Sequence, residues 1–370
     1  MSAATHQPAP TPLRIAHIIT PSRLSGAELY MITLAERLNA RGHRNLILCK
    51  HKALPVIEEC RARGLDVRPV PLYGKLDLLA PRRLARLLRE QDVQIVHTHL
   101  STASLWGARA ARRARLPVLA TVQGQNTALW YRCADLLIAN SEAVRRHMTA
   151  QGIPPERIVV VHNAIDVRAF RRRLTPEQAK RALGLDPNCL VIGTAAHLSP
   201  KKGHDDLLEA AIQISSRVPQ AHFVFLGDGP MRPQLERAAA AAGIADRVHL
   251  LGFRRDVAEV MSAYDVFALA SWWEPFGLVF VEAMALGVPV VTTDAGGAPE
   301  VVAHGQTGLL VPPRNPRALA EALLRLATDH DLRARMSAAA PLRAAGFDIA
   351  DKVLEVEAAY HRLLTHPPDA

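Results

Sequence analysis

At 370 residues the chain is long for one hydrophobic core and suits two domains of ordinary size. Hydrophobic residues make up 49% and charged residues 22%, a globular balance that excludes disordered and fibrous classes. No run approaches the ~18 apolar residues a spanning helix needs. The four cysteines, Cys49, Cys60, Cys133 and Cys189, contain no C-x-x-C pair. That argues against a zinc site or disulfide framework and fits a reducing compartment.

Residues 1–12, MSAATHQPAPTP, have no apolar h-region and read as a loose leader, so a cytoplasmic protein is expected. The charge is unevenly placed. Up to residue 175 there are 27 Lys and Arg against 12 Asp and Glu; the remainder has 18 against 23. A basic half suggests an anionic partner. Aromatics are only 5% and no nucleic-acid-binding motif is present, which disfavours nucleic acid and leaves an anionic membrane face or a phosphate-bearing acceptor.

Apolar, β-branched runs alternate with helical patterns from the start, the signature of parallel sheets with crossover helices. The first series is 13–20, 45–49, 66–72, 93–99, 117–122, 135–140 and 157–163. The helical stretch AELYMITLAERLNARG closes at Gly42. Two basic stretches, 81–90 and 108–115, carry arginines among leucines and alanines. Such helices lie on anionic lipid or turn their leucines to the core. From 164 to 188 the strand pattern lapses into charged, Pro-containing sequence that reads as an interdomain connection. A second series follows at 189–196, 222–227, 247–252, 265–270, 288–293 and 307–311, then an amphipathic helix over 347–364. The expected class is α/β, with two Rossmann-like doubly wound domains over 13–170 and 171–345 facing across a cleft, and a C-terminal helix and tail over 346–370, the helix crossing back. Such sheets bind ligands at their carboxyl ends.

SWWEPFGLVFVEAMALG (271–287) carries the most chemistry. A strand ends before it, and Pro275 with Gly277 marks the turn into a helix closing near Gly287. Glu274 and Glu282 are eight residues apart, about 12 Å if the interval is helical. That is the reach from the sugar of a nucleotide-sugar to its ribose. Glu282 can accept from two ribose hydroxyls and Glu274 from sugar hydroxyls, while the Gly277 and Leu278 amides face a diphosphate.

The E-x7-E spacing, followed by AMALGVPVVTTDAGGAPEVV and TGLLVPP, closely resembles the retaining glycosyltransferase family 4 over 13–331. The resemblance implies the two-Rossmann-domain GT-B fold, a nucleotide-sugar donor, a glycan or lipid-linked acceptor and no metal cofactor. It places Glu274 on the donor sugar, Glu282 on the ribose, and Gly277 and Leu278, beside Phe276, on the phosphates. In HLSPKKG, Lys202 matches the lysine that neutralises the leaving diphosphate, and His197 stands where the family usually has arginine. LGDGP brings Gly227 to a tight turn after a strand, and LGFRRDV puts Gly252, Phe253 and Arg254 where the family packs the base.

In the first domain, PSRLSGAELY resembles the G-G-x-E loop, with Ser25 replacing the first glycine and Gly26 retained. His97 and His99, from IVHTH, share one strand face. A metal site is possible on this geometry, but no third ligand is evident, and structural or hydrogen-bonding histidines are expected. Gln123 stands where the family has a histidine beside the transferred sugar, and glutamine cannot relay a proton. HNAID contributes Asn163 to the acceptor side. No G-x-G-x-x-G follows the first strand, which disfavours a dinucleotide dehydrogenase.

These residues point to sugar transfer in cell-envelope polysaccharide synthesis, by a protein that sits on the inner membrane face. Two other readings stand beside it: a sugar-nucleotide epimerase or hydrolase on the same fold, and a binding protein that has lost catalysis. Ser25, Gln123 and His197 motivate the last.

Overall fold

A computed structural model describes residues 11–21 and 23–365. Most of the leader expected over 1–12 lies outside them. The chain forms two compact units, one running to Asn163 and resuming at Ile349, the other Ala164–Asp348.

The first unit holds seven strands, β1 (Arg14–Ile19), β2 (Arg44–Lys50), β3 (Asp66–Val70), β4 (Ile95–His99), β5 (Val118–Val122), β6 (Leu136–Ala139) and β7 (Ile158–Val160). They form one parallel sheet in the order β3-β2-β1-β4-β5-β6-β7. The second unit holds β8 (Leu190–Ala195), β9 (Ala221–Leu226), β10 (Val248–Gly252), β11 (Val266–Leu269), β12 (Val290–Thr293) and β13 (Gly308–Val311). Their order is β10-β9-β8-β11-β12-β13, again parallel. Each of the runs read from the sequence becomes a strand, and in the inner strands helices on both faces of the parallel sheet bury consecutive side chains, whereas the edge strand β3 is buried only at Val70. Each sheet reverses its strand order once, at β1/β4 and at β8/β11. A crevice at the carboxyl ends of those strands is the geometric consequence.

The final helix, Ile349–Thr365, belongs to the first unit and packs on the helix Gly26–Ala40. Its buried Glu357 receives Arg41 through both carboxylate oxygens and His43 Nε2 at 3.0 Å. Tyr360, fully buried, places its hydroxyl 2.7 Å from His97 Nδ1. The helix therefore crosses back to the first unit, as expected from the sequence.

The stretch expected to be a connection, 164–188, is instead built into the second unit. It carries the helix Pro176–Ala182, whose start is closed by a reciprocal pair: Gln178 N donates to Thr175 Oγ1 at 3.3 Å, and Thr175 N to Gln178 Oε1 at 2.9 Å. Ile165, Ala179 and Leu185 enter the core against Val191 and Phe267. Its charge hides one buried anchor. Lys180 donates to the Cys189 carbonyl at 2.8 Å and pairs with Asp265 at 2.8 Å. Asp265 in turn accepts from Val191 N at 2.8 Å, tying helix, β8 and the start of β11 together.

Lys180→Ala leaves Asp265 and a carbonyl without their cation. Asp265 keeps some contact with water, so the expected loss falls below that of a fully buried pair, about 2 kcal/mol. Urea denaturation should register it, whereas breaking the exposed Arg317–Glu321 pair should leave the midpoint unchanged.

Candidate active site

In the second unit, the loops after β8 and β11 meet at the point where strand order reverses. The loop after β8 ends in a short turn, Pro200–Lys202, and Gly203 at φ +64°. A Cβ on Gly203 would sit 1.9 Å from the Ala270 carbonyl oxygen, so only glycine lets this loop close on the end of β11. Trp272 N donates to the Lys201 carbonyl at 3.0 Å and completes the junction. That closure brings Lys202 Nζ to 2.6 Å from Glu274 Oε2.

Glu274 is buried and held from several sides. Ser271 Oγ donates to the same carboxylate oxygen at 2.9 Å. Its backbone carbonyl accepts from Gly297 N at 2.7 Å, and Gly296, at φ +72°, would carry a Cβ 2.2 Å from that carbonyl oxygen. A second glycine therefore permits the loop after β12 to brace the carboxylate. Three residues beyond Glu274, Gly277 at φ +91° starts the helix Leu278–Ala285, with the fully buried Phe276 packed behind it. The first amides of a helix have no intrahelical acceptor and point outward as donors. The interval from Glu274 to Glu282 is thus helical only in its second half. Glu282 lies in the middle of this helix, partly buried, and among the described residues its carboxylate has no hydrogen-bond partner. Burial raises its pKa to about 7.

Gly227 and Gly229 are demanded by backbone packing. Their Cβ atoms would fall 2.0 Å from the Ala196 and 2.3 Å from the Leu198 carbonyl oxygens, and Gly227 N donates to the Gly252 carbonyl at 2.9 Å. The ends of β8, β9 and β10 are gathered there beside His197, whose carbonyl accepts from the buried His204 at 3.2 Å. Phe253 is 66% exposed, and Arg254 is paired with Asp256.

In the first unit, a cavity of about 330 Å³ opens at the β1/β4 switch point. Thr20, Arg23 and Ser25 line it from the loop after β1, Ser101 and Thr102 from the start of the helix Ser101–Ala114, and Gln123 and Asn126 from the loop after β5. Ser25 is spoken for locally: its N and Oγ donate to Glu28 Oε2 at 3.0 and 2.5 Å, closing the start of the helix at Gly26. Gln123 is the opposite case. Both side-chain amide atoms, and the Thr20 hydroxyl, are sealed from water without a partner. Each such group costs about 1–3 kcal/mol unless a ligand satisfies it.

His97 and His99 do not line this cavity. Both are fully buried and form a cluster with His17, a residue that sequence reasoning missed, with ring nitrogens within 4.8 Å of one another. The signal is the register of β1 on β4, which sets His17 opposite His97 and Ile19 opposite His99. His17 Nε2 bonds Asn45 Oδ1 at 2.9 Å and its Nδ1 bonds His99 Nε2 at 3.1 Å; His97 bonds Thr121 and Tyr360, each at 2.7 Å. Burial lowers all three pKa values, His17 to about 4, so the cluster is neutral. It fastens the terminal helix to the sheet. Asn163, also buried, is where the chain leaves the first unit, and it is not among the residues lining the cavity.

Comparison with known proteins agrees with this architecture. A family described as glycosyl transferases group 1 matches residues 176–343, and one described as glycosyltransferase family 4 matches residues 24–169. The D-inositol 3-phosphate glycosyltransferase of Streptomyces scabiei is 31% identical over 374 residues, covering 87% of this chain and 83% of its own length. The enzyme of the same name from Corynebacterium urealyticum is 36% identical over 249 residues, covering 64% of this chain and 58% of its own. In three dimensions, Anabaena Alr3699/HepE, solved with UDP and glucose, superposes with a TM-score of 0.84 at 27% identity, over 94% of this chain and 99% of that one. The matched segment 176–343 lies within the second unit, and 24–169 spans most of the first and ends just beyond Asn163; the chain belongs to the family 4 glycosyltransferases of GT-B fold.

Proposed function

We propose that the second unit holds a nucleoside diphosphate sugar across the segment from Glu274 to Glu282, and that the first unit takes the acceptor. The observation that carries the reading is the Lys202–Glu274 pair at 2.6 Å, with a helix start three residues further on. Glu274 receives hydroxyls of the sugar and Glu282 the two hydroxyls of the ribose. The diphosphate lies between them on the Gly277 and Leu278 amides. Lys202 can turn from Glu274 toward the departing phosphate, where negative charge grows as the sugar bond breaks. A uracil base is favoured by the UDP found in the Anabaena structure.

Transfer proceeds with retention. The bond from the anomeric carbon to the phosphate oxygen breaks, the acceptor oxygen bonds the same face, and its proton passes to a phosphate oxygen of the donor. A side-chain base is then unnecessary, and the Gln123 amide can serve by holding a hydroxyl. Its unpartnered N and O atoms fit a polyhydroxylated ligand, which both donates and accepts. The name borne by the two bacterial relatives supports an acceptor that carries hydroxyls and a phosphate. The strongly basic first half fits acceptors of the cell envelope.

Lys202→Ala and Glu282→Ala should each reduce transfer at least about a hundredfold with far-UV spectra close to wild type. Lys202→Ala also lowers the thermal midpoint, because it leaves the buried Glu274 carboxylate without its cation. Full turnover in both purified variants would remove the site assignment.

Glu282 also predicts a pH signature. Near pH 7 the empty site is partly protonated, since burial raises its pKa to about 7. Two ribose hydroxyls favour the carboxylate and lower that pKa, so binding releases protons. Nucleoside diphosphate affinity should therefore rise with pH up to about 7 and then level off. Calorimetry in buffers of differing ionisation enthalpy should show proton release near pH 7 that is absent in Glu282→Gln.

A further inference from the structure

The segment between β3 and the helix Ala80–Glu90 exposes large apolar side chains in an unusual concentration. Tyr73 is 67% exposed, Leu76 91%, Leu78 78% and Leu79 56%. Four such residues within seven positions make a local patch, where scattered single exposures would be ordinary.

The loop is braced rather than slack. Trp106 Nε1 donates to the Gly74 carbonyl at 2.7 Å, and Tyr73 N donates to Asp77 Oδ2 at 3.0 Å. Arg83 pairs with Asp77 and also donates to the Pro71 carbonyl at 2.9 Å. Lys75 rests 3.9 Å over the Trp130 ring. These bonds take up the polar groups of the loop and leave its leucines in solvent.

Cations follow it along two packed helices. Residues 71–90 and 101–115, the latter on the helix Ser101–Ala114 that packs against Ala80–Glu90, contain nine Lys and Arg against two acids. Both acids are engaged, Asp77 by Arg83 and Glu90 by Arg86. Arg82, Arg89, Arg112, Arg113 and Arg115 are exposed. The helix Ala80–Glu90 itself turns Leu84, Ala85 and Leu88 into the core, so it does not lie on lipid by an apolar face of its own.

We propose that this loop and its two flanking helices form a membrane-docking surface, in which Leu76, Leu78 and Leu79 enter the headgroup boundary of an anionic bilayer. Exposed leucines bring apolar area to bury, and arginines spread over two helices match a field of many headgroups better than a single discrete anion. The proposal is independent of the donor-site assignment.

Cosedimentation of the full chain tests it, with vesicles of phosphatidylcholine alone and of phosphatidylcholine carrying about a third phosphatidylglycerol. Binding is expected to the anionic vesicles only, weakened by salt. It should fall at least about tenfold in the triple variant Leu76→Ser, Leu78→Ser, Leu79→Ser. Nucleoside diphosphate binding and far-UV spectra unchanged in that variant would show that its fold is intact. The proposal is overturned if wild type ignores anionic vesicles, or if the variant binds them as well as wild type. Self-association that the variant abolishes, without vesicle binding, would assign the patch to a second copy. Capture by polyglutamate but not by vesicles would assign it to an acidic protein. Either result contradicts the proposal.

Discussion

The Lys202–Glu274 contact depends on backbone packing more than on either side chain. Two loops leave the sheet where its strand order reverses, and they can meet only because glycines stand at the crossing. Gly203 admits the Ala270 carbonyl and Gly296 admits that of Glu274. With the loops so closed, a buried carboxylate has a serine hydroxyl and an ammonium on one oxygen, and a helix start close by in the chain. Charges placed in this way need little rearrangement when charge moves in a reaction. The supporting glycines are thus as much part of the site as the groups that touch a ligand.

The two units handle their switch points differently. In the second, Lys202 and Ser271 are both paired with Glu274, while among the described residues Glu282 has no partner and a raised pKa. In the first, Gln123 and Thr20 are left with unmet hydrogen-bonding capacity around a cavity. A pre-paired site is stable empty and exchanges partners on binding; an unpaired one draws its stability from the ligand. The glutamine that departs from the family pattern fits the second description, since an amide offers a donor and an acceptor without a proton to transfer.

Legibility in the sequence followed the range of the interactions. The thirteen strands among the described residues were visible, most of them because a strand buried on both faces shows as an apolar run; the edge strand β3, DVRPV, is buried only at Val70. Glu274 and Glu282 were visible because their spacing lies within one strand–turn–helix unit. Lys202 is 72 residues from Glu274, and its place was implied by resemblance alone. Lys180 was hidden for another reason: in a charged stretch, nothing local distinguishes a lysine that pairs with a distant Asp265 from one that faces water. His17 was missed because its relation to His97 and His99 arises from strand register across some eighty residues. The basic helix Ala80–Glu90 showed its arginines plainly, but the exposed leucines that give them a use belong to the loop before it.

A crystal structure of the chain with an unhydrolysed uridine diphosphate sugar tests the central assignment most directly. It should show the sugar hydroxyls on Glu274, both ribose hydroxyls on Glu282 and the diphosphate at the Gly277 and Leu278 amides, with Lys202 turned toward the leaving phosphate. Nucleotide bound with Glu282 free of the ribose, or seated in the Gln123 cavity instead, would contradict it.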